Sequence, residues 1–476
     1  MKDLIKTAYS ATNFKEDGLA LIELLAKHIS DSTDLKDEKT INWETPEKQL
    51  EFWQKDFESP TLSNPLSLFK SVIEKSLNLH NPKYLGHQVA TTLPVTALSS
   101  MVIAYLNQGL PVYEMAMVGN ALEKVVTKHL ADKFGFGNEA AGIVTSGGTL
   151  ANLTALLAAR TNFEEKDFPN LAILVSGEAH YSIERAVKIL GLSPLNVIKV
   201  PVNVQFQMRT ELLEELYQEA LSEGKKIMCV IGCACSTSVG AYDDLNAIGD
   251  WANGHNIWFH VDGAHGAAAI YSPTYKHLLA GIEKADSVIL DFHKLLMAPS
   301  LSTALIYKNG KYASRTFAQK ADYIFNTESQ DDWYNSGKRT FECTKPMQIL
   351  NAYTTMRLYG EELYKQHIDR LYGLAKEFAA TVSNSENFDL AVDPESNIVC
   401  FRLKTEENSD EINKEIAEKL LMDGTFFIVN TVIDGEFWLR ITIQNPLTTL
   451  NDLEQLLNLI LEIHHQVPAA KSCLSV

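Results

Sequence analysis

Short apolar runs and longer apolar stripes divide this chain into regions of different character. Between about residues 83 and 355 lie GIVTSG, LAILVS, VIKV, IMCVIGCA, IWFHVDG, SVILDF and TALIY. Each is too short for a helix and rich in β-branched residues, so each predicts a strand. Stretches with apolar residues at helical spacing separate them, ANLTALLAAR among these. Strands alternating with helices predict an α/β fold, a mostly parallel seven-stranded sheet covered by helices on both faces. Residues 1–82 instead carry two stripes of helical period, GLALIELLAKHIS and PLSLFKSVIEKSLNL, joined by the polar loop DSTDLKDEKTINWETPEKQ. From about 356, the helix GEELYKQHIDRLYGLAKEFAATVSN leads to strands NIVCFRL and EFWLRITI and helices DEINKEIAEKLLMDG and LNDLEQLLNLILEIHHQV. The expected organisation is an N-terminal helical segment over 1–82, a large domain over 83–355 and a small α+β domain over 356–476. No repeat or low-complexity segment interrupts it.

Candidate chemistry sits where strands end. Lys294 follows SVILDF, and a buried ammonium is costly unless it is paired or neutral. A neutral lysine amine is also the form that attacks an aldehyde. A strand-end lysine pointing at water is the plainer reading. Asp262 closes the strand IWFHV, ahead of the small residues Gly263, Ala264 and Gly266. A carboxylate there suits a ligand site at the carboxyl end of a parallel sheet, or a helix N-cap. Ser146, Gly147, Gly148 and Thr149 open the helix ANLTALLAAR. A Gly-rich turn feeding a helix start can cradle phosphate, and an ordinary capped helix is the alternative. Neither a dinucleotide nor a nucleoside-triphosphate fingerprint is present. His180 falls in the turn after LAILVS.

In this order, a phosphate cradle, an aromatic ring in a turn, a strand-end Asp and a strand-end Lys describe a site for pyridoxal 5'-phosphate. With SGGTLANL, AHYSIERA, GAYDDL, HVDGAHG and DFHKLL in this sequence and spacing, the chain resembles the pyridoxal-phosphate-dependent group II amino acid decarboxylases of fold type I. The likeness runs from about residue 80 nearly to the end, and GHQ, HVDGAHG and ECTKP look nearest the bacterial L-2,4-diaminobutyrate type. The resemblance implies that Lys294 forms the cofactor aldimine, with His293 beside the phosphate. It implies that Asp262 pairs with the ring nitrogen, that Ala264 and His180 cover the two ring faces, and that Ser146, Gly147, Gly148 and Thr149 bind phosphate. Thr237 is the matching threonine, although Cys233 and Cys235 stand where the family has Thr and Gly. Tyr334, in the loop FNTESQDDWYNSGKRTFECTKP, is the tyrosine matched to the family's proton donor. A surface tyrosine packing that loop is the alternative. Where the family often has two arginines, this chain has Lys345-Pro346.

The implied reaction is decarboxylation of an L-amino acid through a quinonoid intermediate, with L-2,4-diaminobutyrate the first expected substrate. His87, Gln88 and Thr91 are candidate substrate contacts. An acidic or aromatic substrate is the alternative, and an aminotransferase or other lyase on the same fold is a further one. A pseudoenzyme and a nucleotide-binding domain are the remaining readings, opposed by the intact Lys294 set and by the missing fingerprints. The resemblance also implies a homodimer with the active site near the interface.

Composition narrows the setting. A net charge of −18 and a pI near 5.2 argue against nucleic acid or an anionic membrane surface as partner. The N-terminal stretch has no apolar signal core, and Asp291, His293 and Lys294 interrupt the most apolar region, so no membrane span is expected. Six cysteines scattered along the chain make no disulfide framework or metal site, and a cytoplasmic location is expected.

Overall fold

A computed structural model describes residues 3–36, 39–62, 64–317 and 332–466. The chain separates into two compact units. One comprises Gln88–Ala379 with Val392–Val399; the other joins Met1–His87, Ala380–Ala391 and Cys400–Val476.

The first unit is built on a seven-stranded sheet. Its strands are β1 (Ala141–Thr145), β2 (Leu171–Ser176), β3 (Val197–Val200), β4 (Lys226–Cys233), β5 (Trp258–Asp262), β6 (Ser287–Asp291) and β7 (Thr303–Tyr307). Their order across the sheet is β1-β7-β6-β5-β4-β2-β3. The strands β3, β2, β4, β5 and β6 pair in parallel, and β7 runs antiparallel to both neighbours. The carboxyl ends of β1, β2, β4, β5 and β6 therefore share one edge. Every residue of β2, β5, β6 and β7 is buried, as expected for strands covered on both faces. The helix Gly148–Arg160 packs on this sheet through Ala151, Ala155, Ala158 and Ala159, all fully buried. Alanines let its backbone approach the strands closely, which places its N-terminus at the shared edge.

The second unit holds a four-stranded sheet of order β10-β11-β9-β8, from β8 (Phe388–Leu390), β9 (Ile398–Leu403), β10 (Val429–Ile433) and β11 (Glu436–Thr442). The N-terminal segment is bonded into this unit. Thr40 N–H donates to the Gly424 carbonyl at 2.8 Å, Leu85 N–H to Phe427 at 2.9 Å, and Thr442 N–H to Leu85 at 2.8 Å. The polar stretch read as a loop contains the start of a helix, Pro46–Glu58. Thr45 caps it, its hydroxyl accepting Lys48 N–H at 3.4 Å, and Pro46 fills the first helical position. Strands β8 and β10 were not expected; β8 has three residues and β10 is half exposed, so neither leaves a strong pattern. The expected long helix starts where its sequence placed it, at a kink at Gly360, whose φ is +66°; a further helical stretch from Ile349 runs into that kink. Among the described residues no helix is long and apolar enough to cross a membrane.

Lys345, noted above for replacing an arginine, is buried. Its ammonium lies 2.7 Å from Glu123 and donates to the Val144 carbonyl at 2.6 Å. Glu123 also accepts the Val144 N–H at 3.0 Å, and Arg339 donates to the Gly142 carbonyl at 3.1 Å. Two cations thus fasten the segment after residue 332 to β1. Removing one partner of a buried pair leaves the other uncompensated. Glu123→Ala is expected to destabilise the protein by about 3–5 kcal/mol, read as a lower urea midpoint. An unchanged midpoint would mean that this pair does not hold the segment.

Candidate active site

The shared edge of the large sheet opens into a cavity of about 560 Å³ within the first unit. It is lined by Ser146, Gly147, Gly148 and Thr149, by His180, by Thr237, by Asp262 and Ala264, and by His293 and Lys294. Sequence positions 150 residues apart converge there because each follows the carboxyl end of a strand or opens the helix behind one.

The phosphate-cradle candidates form the start of the Gly148–Arg160 helix, which has no side-chain cap. Gly147 has φ +138°, a conformation closed to most L-residues. A Cβ on Gly148 would stand 3.4 Å from the Asp291 carboxylate. The bare helix N-terminus opens on the cavity, the arrangement that favours an anion. The Ser146 hydroxyl is directed elsewhere, donating to Glu342 at 2.7 Å.

Asp262 ends β5 and is 8% exposed. One carboxylate oxygen accepts the Asn152 side-chain N–H at 2.9 Å, and the other accepts the Ala264 N–H at 3.2 Å. The residue caps no helix, since the short 3₁₀ turn beyond it lacks a side-chain cap. Lys294 lies in the turn after β6, its ammonium 3.0 Å from Asp291, which is 2% exposed. Thr303 donates to the same carboxylate, and His293 stands 3.6 Å from it. Asp291 thus answers the cost of a part-buried lysine. His180 accepts the Ser182 N–H at Nδ1, 3.3 Å away, which puts the ring proton of the neutral imidazole on Nε2. Burial pushes its pKa below the usual histidine range, against the opposing pull of Asp262. Cys233 and Cys235 also line the cavity; burial pushes the Cys235 thiol up to about 12 and raises the Cys233 thiol well above the usual range, so both remain protonated.

Four expected residues lie elsewhere. Gln88 and Thr91 do not line the cavity; their segment runs beside the lysine turn, Ala90 N–H donating to the His293 carbonyl at 3.3 Å. His87 belongs to the second unit, where its ring lies 6.0 Å from Phe427. Tyr334 is not on the cavity wall of its own chain. Its hydroxyl bonds to Asp332, which raises its pKa, and its ring meets Tyr113 edge-on at 5.6 Å. The preceding part of the expected loop, residues 318–331, lies outside the described residues.

The sequence reading passed over Asp291, Asn152, Arg185, Leu301 and Phe341, all on the wall. Asp291 was visible as a carboxylate three residues before Lys294 in an otherwise apolar run, and Asn152 as an amide inside an alanine-rich helical stripe.

The profile of the pyridoxal-dependent decarboxylase conserved domain matches residues 76–404. An aromatic-L-amino-acid decarboxylase of Bacillus atrophaeus is 29% identical over 385 residues, covering 79% of this chain and 80% of that protein. An L-2,4-diaminobutyrate decarboxylase of Acinetobacter baumannii is 29% identical over 427 residues, 84% of this chain and 83% of that one. The glutamate decarboxylase domain of a Vibrio parahaemolyticus diaminobutyrate-pyruvate transaminase and L-2,4-diaminobutyrate decarboxylase superposes with a TM-score of 0.81 at 26% identity, covering 94% of this chain and 96% of that one.

Proposed function

This chain belongs to the pyridoxal-dependent decarboxylase family, and from that premise we propose that it decarboxylates L-2,4-diaminobutyrate at the Lys294 cavity. The family's reaction is amino-acid decarboxylation, and its cofactor is pyridoxal 5'-phosphate. The observation that carries the site assignment is the convergence of Lys294, Asp262 and the uncapped Gly148 helix start on one cavity.

The residues present fit this cofactor. The cavity offers an uncapped helix N-terminus that would take the phosphate, the Asp262 carboxylate that would pair with a ring nitrogen, and Lys294 that would hold an aldehyde. When bound, pyridoxal 5'-phosphate supplies a protonated ring that takes up the electron pair left as carbon dioxide departs. Gly147, Gly148 and Thr149 would hold the phosphate, with His293 and Thr237 also on the wall; Asp262 would pair with the ring nitrogen, and Ala264 and His180 would flank the ring. Lys294, on the cavity wall and 3.0 Å from Asp291, would hold the cofactor aldehyde. Ile189, Leu301 and Phe341 present apolar wall, which disfavours a carboxylate relative to neutral carbon dioxide.

A proton must then reach the α-carbon. His180 carries one at Nε2 on the wall of its own chain. Tyr334 is not on the cavity wall of its own chain, and we assign it to the cavity of a second copy in a homodimer. The helix Pro94–Leu106 and the residues after it support that assembly, exposing Leu98, Met101, Val102, Tyr105, Tyr113 and Met115.

The diaminobutyrate reading is supported by the relative of that activity and by the carboxylate of Asp291 on the cavity wall, which suits a substrate with a second ammonium. Arg185 on the cavity wall favours a second reading, an acidic L-amino acid whose side chain it would clamp. A cytoplasmic location accords with the acidic composition.

Carbon dioxide release from the cofactor-loaded protein is expected with 2,4-diaminobutyrate and not with aspartate, glutamate, tyrosine or tryptophan. Release from aspartate or glutamate alone would transfer the substrate to the Arg185 reading. Release from none, with pyridoxamine phosphate formed, would make the protein an aminotransferase. Mixing inactive Lys294→Ala chains with impaired Tyr334→Phe chains is expected to restore turnover, because one site of each mixed dimer regains both groups. Full activity of Tyr334→Phe by itself would assign the proton to His180.

A further inference from the structure

Behind Asp262 runs a line of buried polar groups that the proposed chemistry does not use. Asn152 joins Asp262 at 2.9 Å and Ser182 at 3.0 Å. The Asn152 carbonyl oxygen lies 2.9 Å from His260 Nε2, and His260 Nδ1 lies 2.8 Å from the Ser287 hydroxyl. That hydroxyl accepts the Trp258 indole N–H at 2.9 Å. Asn152, Ser182, His260 and Ser287 are at most 1% exposed. A buried polar run of this kind is costly unless every member is satisfied.

The two ends fix its direction. An indole nitrogen can only donate, and an ionised carboxylate can only accept. The Asn152 amide must therefore turn its NH₂ toward Asp262 and its oxygen toward His260. His260 then donates from Nε2. Burial pushes its pKa down to about 4, so the ring is neutral and Nδ1 accepts from Ser287. Every hydrogen along the line points toward Asp262.

We infer that this one-way chain, Trp258–Ser287–His260–Asn152, is a positioning device that keeps the Asp262 carboxylate ionised and aimed at the cofactor's ring nitrogen. The inference rests on the cavity being the cofactor site. Other groups face Asp262 as well: His180 from the turn after β2, Cys233 from the end of β4, and Lys294 with Asp291 from the end of β6. Lys294 and Asp291 pair with each other, Cys233 stays neutral, and burial keeps His180 largely neutral. The N–H from Asn152 is therefore the fixed donor on the helix side. Hydrogen bonds to the charged form of a carboxyl group lower its pKa. Removing this one takes from the carboxylate the fixed donor that favours its charged form and aims its oxygen.

The test is retention of pyridoxal 5'-phosphate by the full-length protein across about pH 5 to pH 8, by equilibrium dialysis and visible absorbance. Asn152→Ala is expected to move the acid limb of retention upward by about one pH unit, close to tenfold weaker retention at the acid end. Ser287→Ala, a milder change, frees the His260 proton to move to Nδ1 and is expected to shift the limb the same way by less. It decides the question if Asn152→Ala does not fold. A Ser287→Ala profile that superimposes on the parent's, even with a lower melting temperature, overturns the inference and leaves a structural role. A parent protein that retains no cofactor at any pH would instead overturn the reading of the cavity.

Discussion

The carboxyl edge of the large sheet holds an ammonium and two carboxylates that are mostly out of water, and the local structure follows from keeping each of them paired. Lys294 is tolerable there because Asp291 stands 3.0 Å away, itself held by Thr303. Asp262 is tolerable because Asn152 and the Ala264 backbone donate to it. An isolated charge at such depth would change protonation state or unfold its surroundings. Adjacent parallel strands ending together put these charges within reach of one another, and the bare helix start adds a third electrostatic element suited to an anion.

The resting arrangement is preorganised and reversible. The Lys294–Asp291 pair holds the lysine at the cavity wall, and Thr303 holds the partner carboxylate independently of the lysine. Asp262, in contrast, has fixed donors and nothing to exchange. The two strand-end carboxylates are the same residue type, each the last residue of one of two neighbouring strands. Their roles separate because one faces a movable cation and the other a rigid amide.

Much of this was legible in the sequence. The seven strands of the large sheet read as short apolar runs because strands covered on both faces need no alternation. Gly147, Gly148, His180, Asp262 and Lys294 each stood at the end of such a run, where ligand groups collect in α/β folds. What escaped notice obeys different physics. The Pro46–Glu58 helix is capped and exposed, so its apolar stripe is weak. Asp291, Asn152 and His260 read as interruptions of apolar pattern, and their partners are distant in sequence. His87, Gln88 and Thr91 sit just before the first long helix of the large unit, and linear position said nothing of which way they face. Tyr334 matched a motif, but in its own chain its hydroxyl bonds to Asp332 and its ring meets Tyr113, off the cavity wall.

The central claim is that Lys294 is the residue that holds the cofactor. Borohydride reduction of the cofactor-loaded protein, followed by digestion and peptide mass mapping, tests it directly. The account predicts one phosphopyridoxyl label, on the peptide carrying Asp291-Phe292-His293-Lys294. A label on another lysine, or none on protein that retains the cofactor, would contradict it.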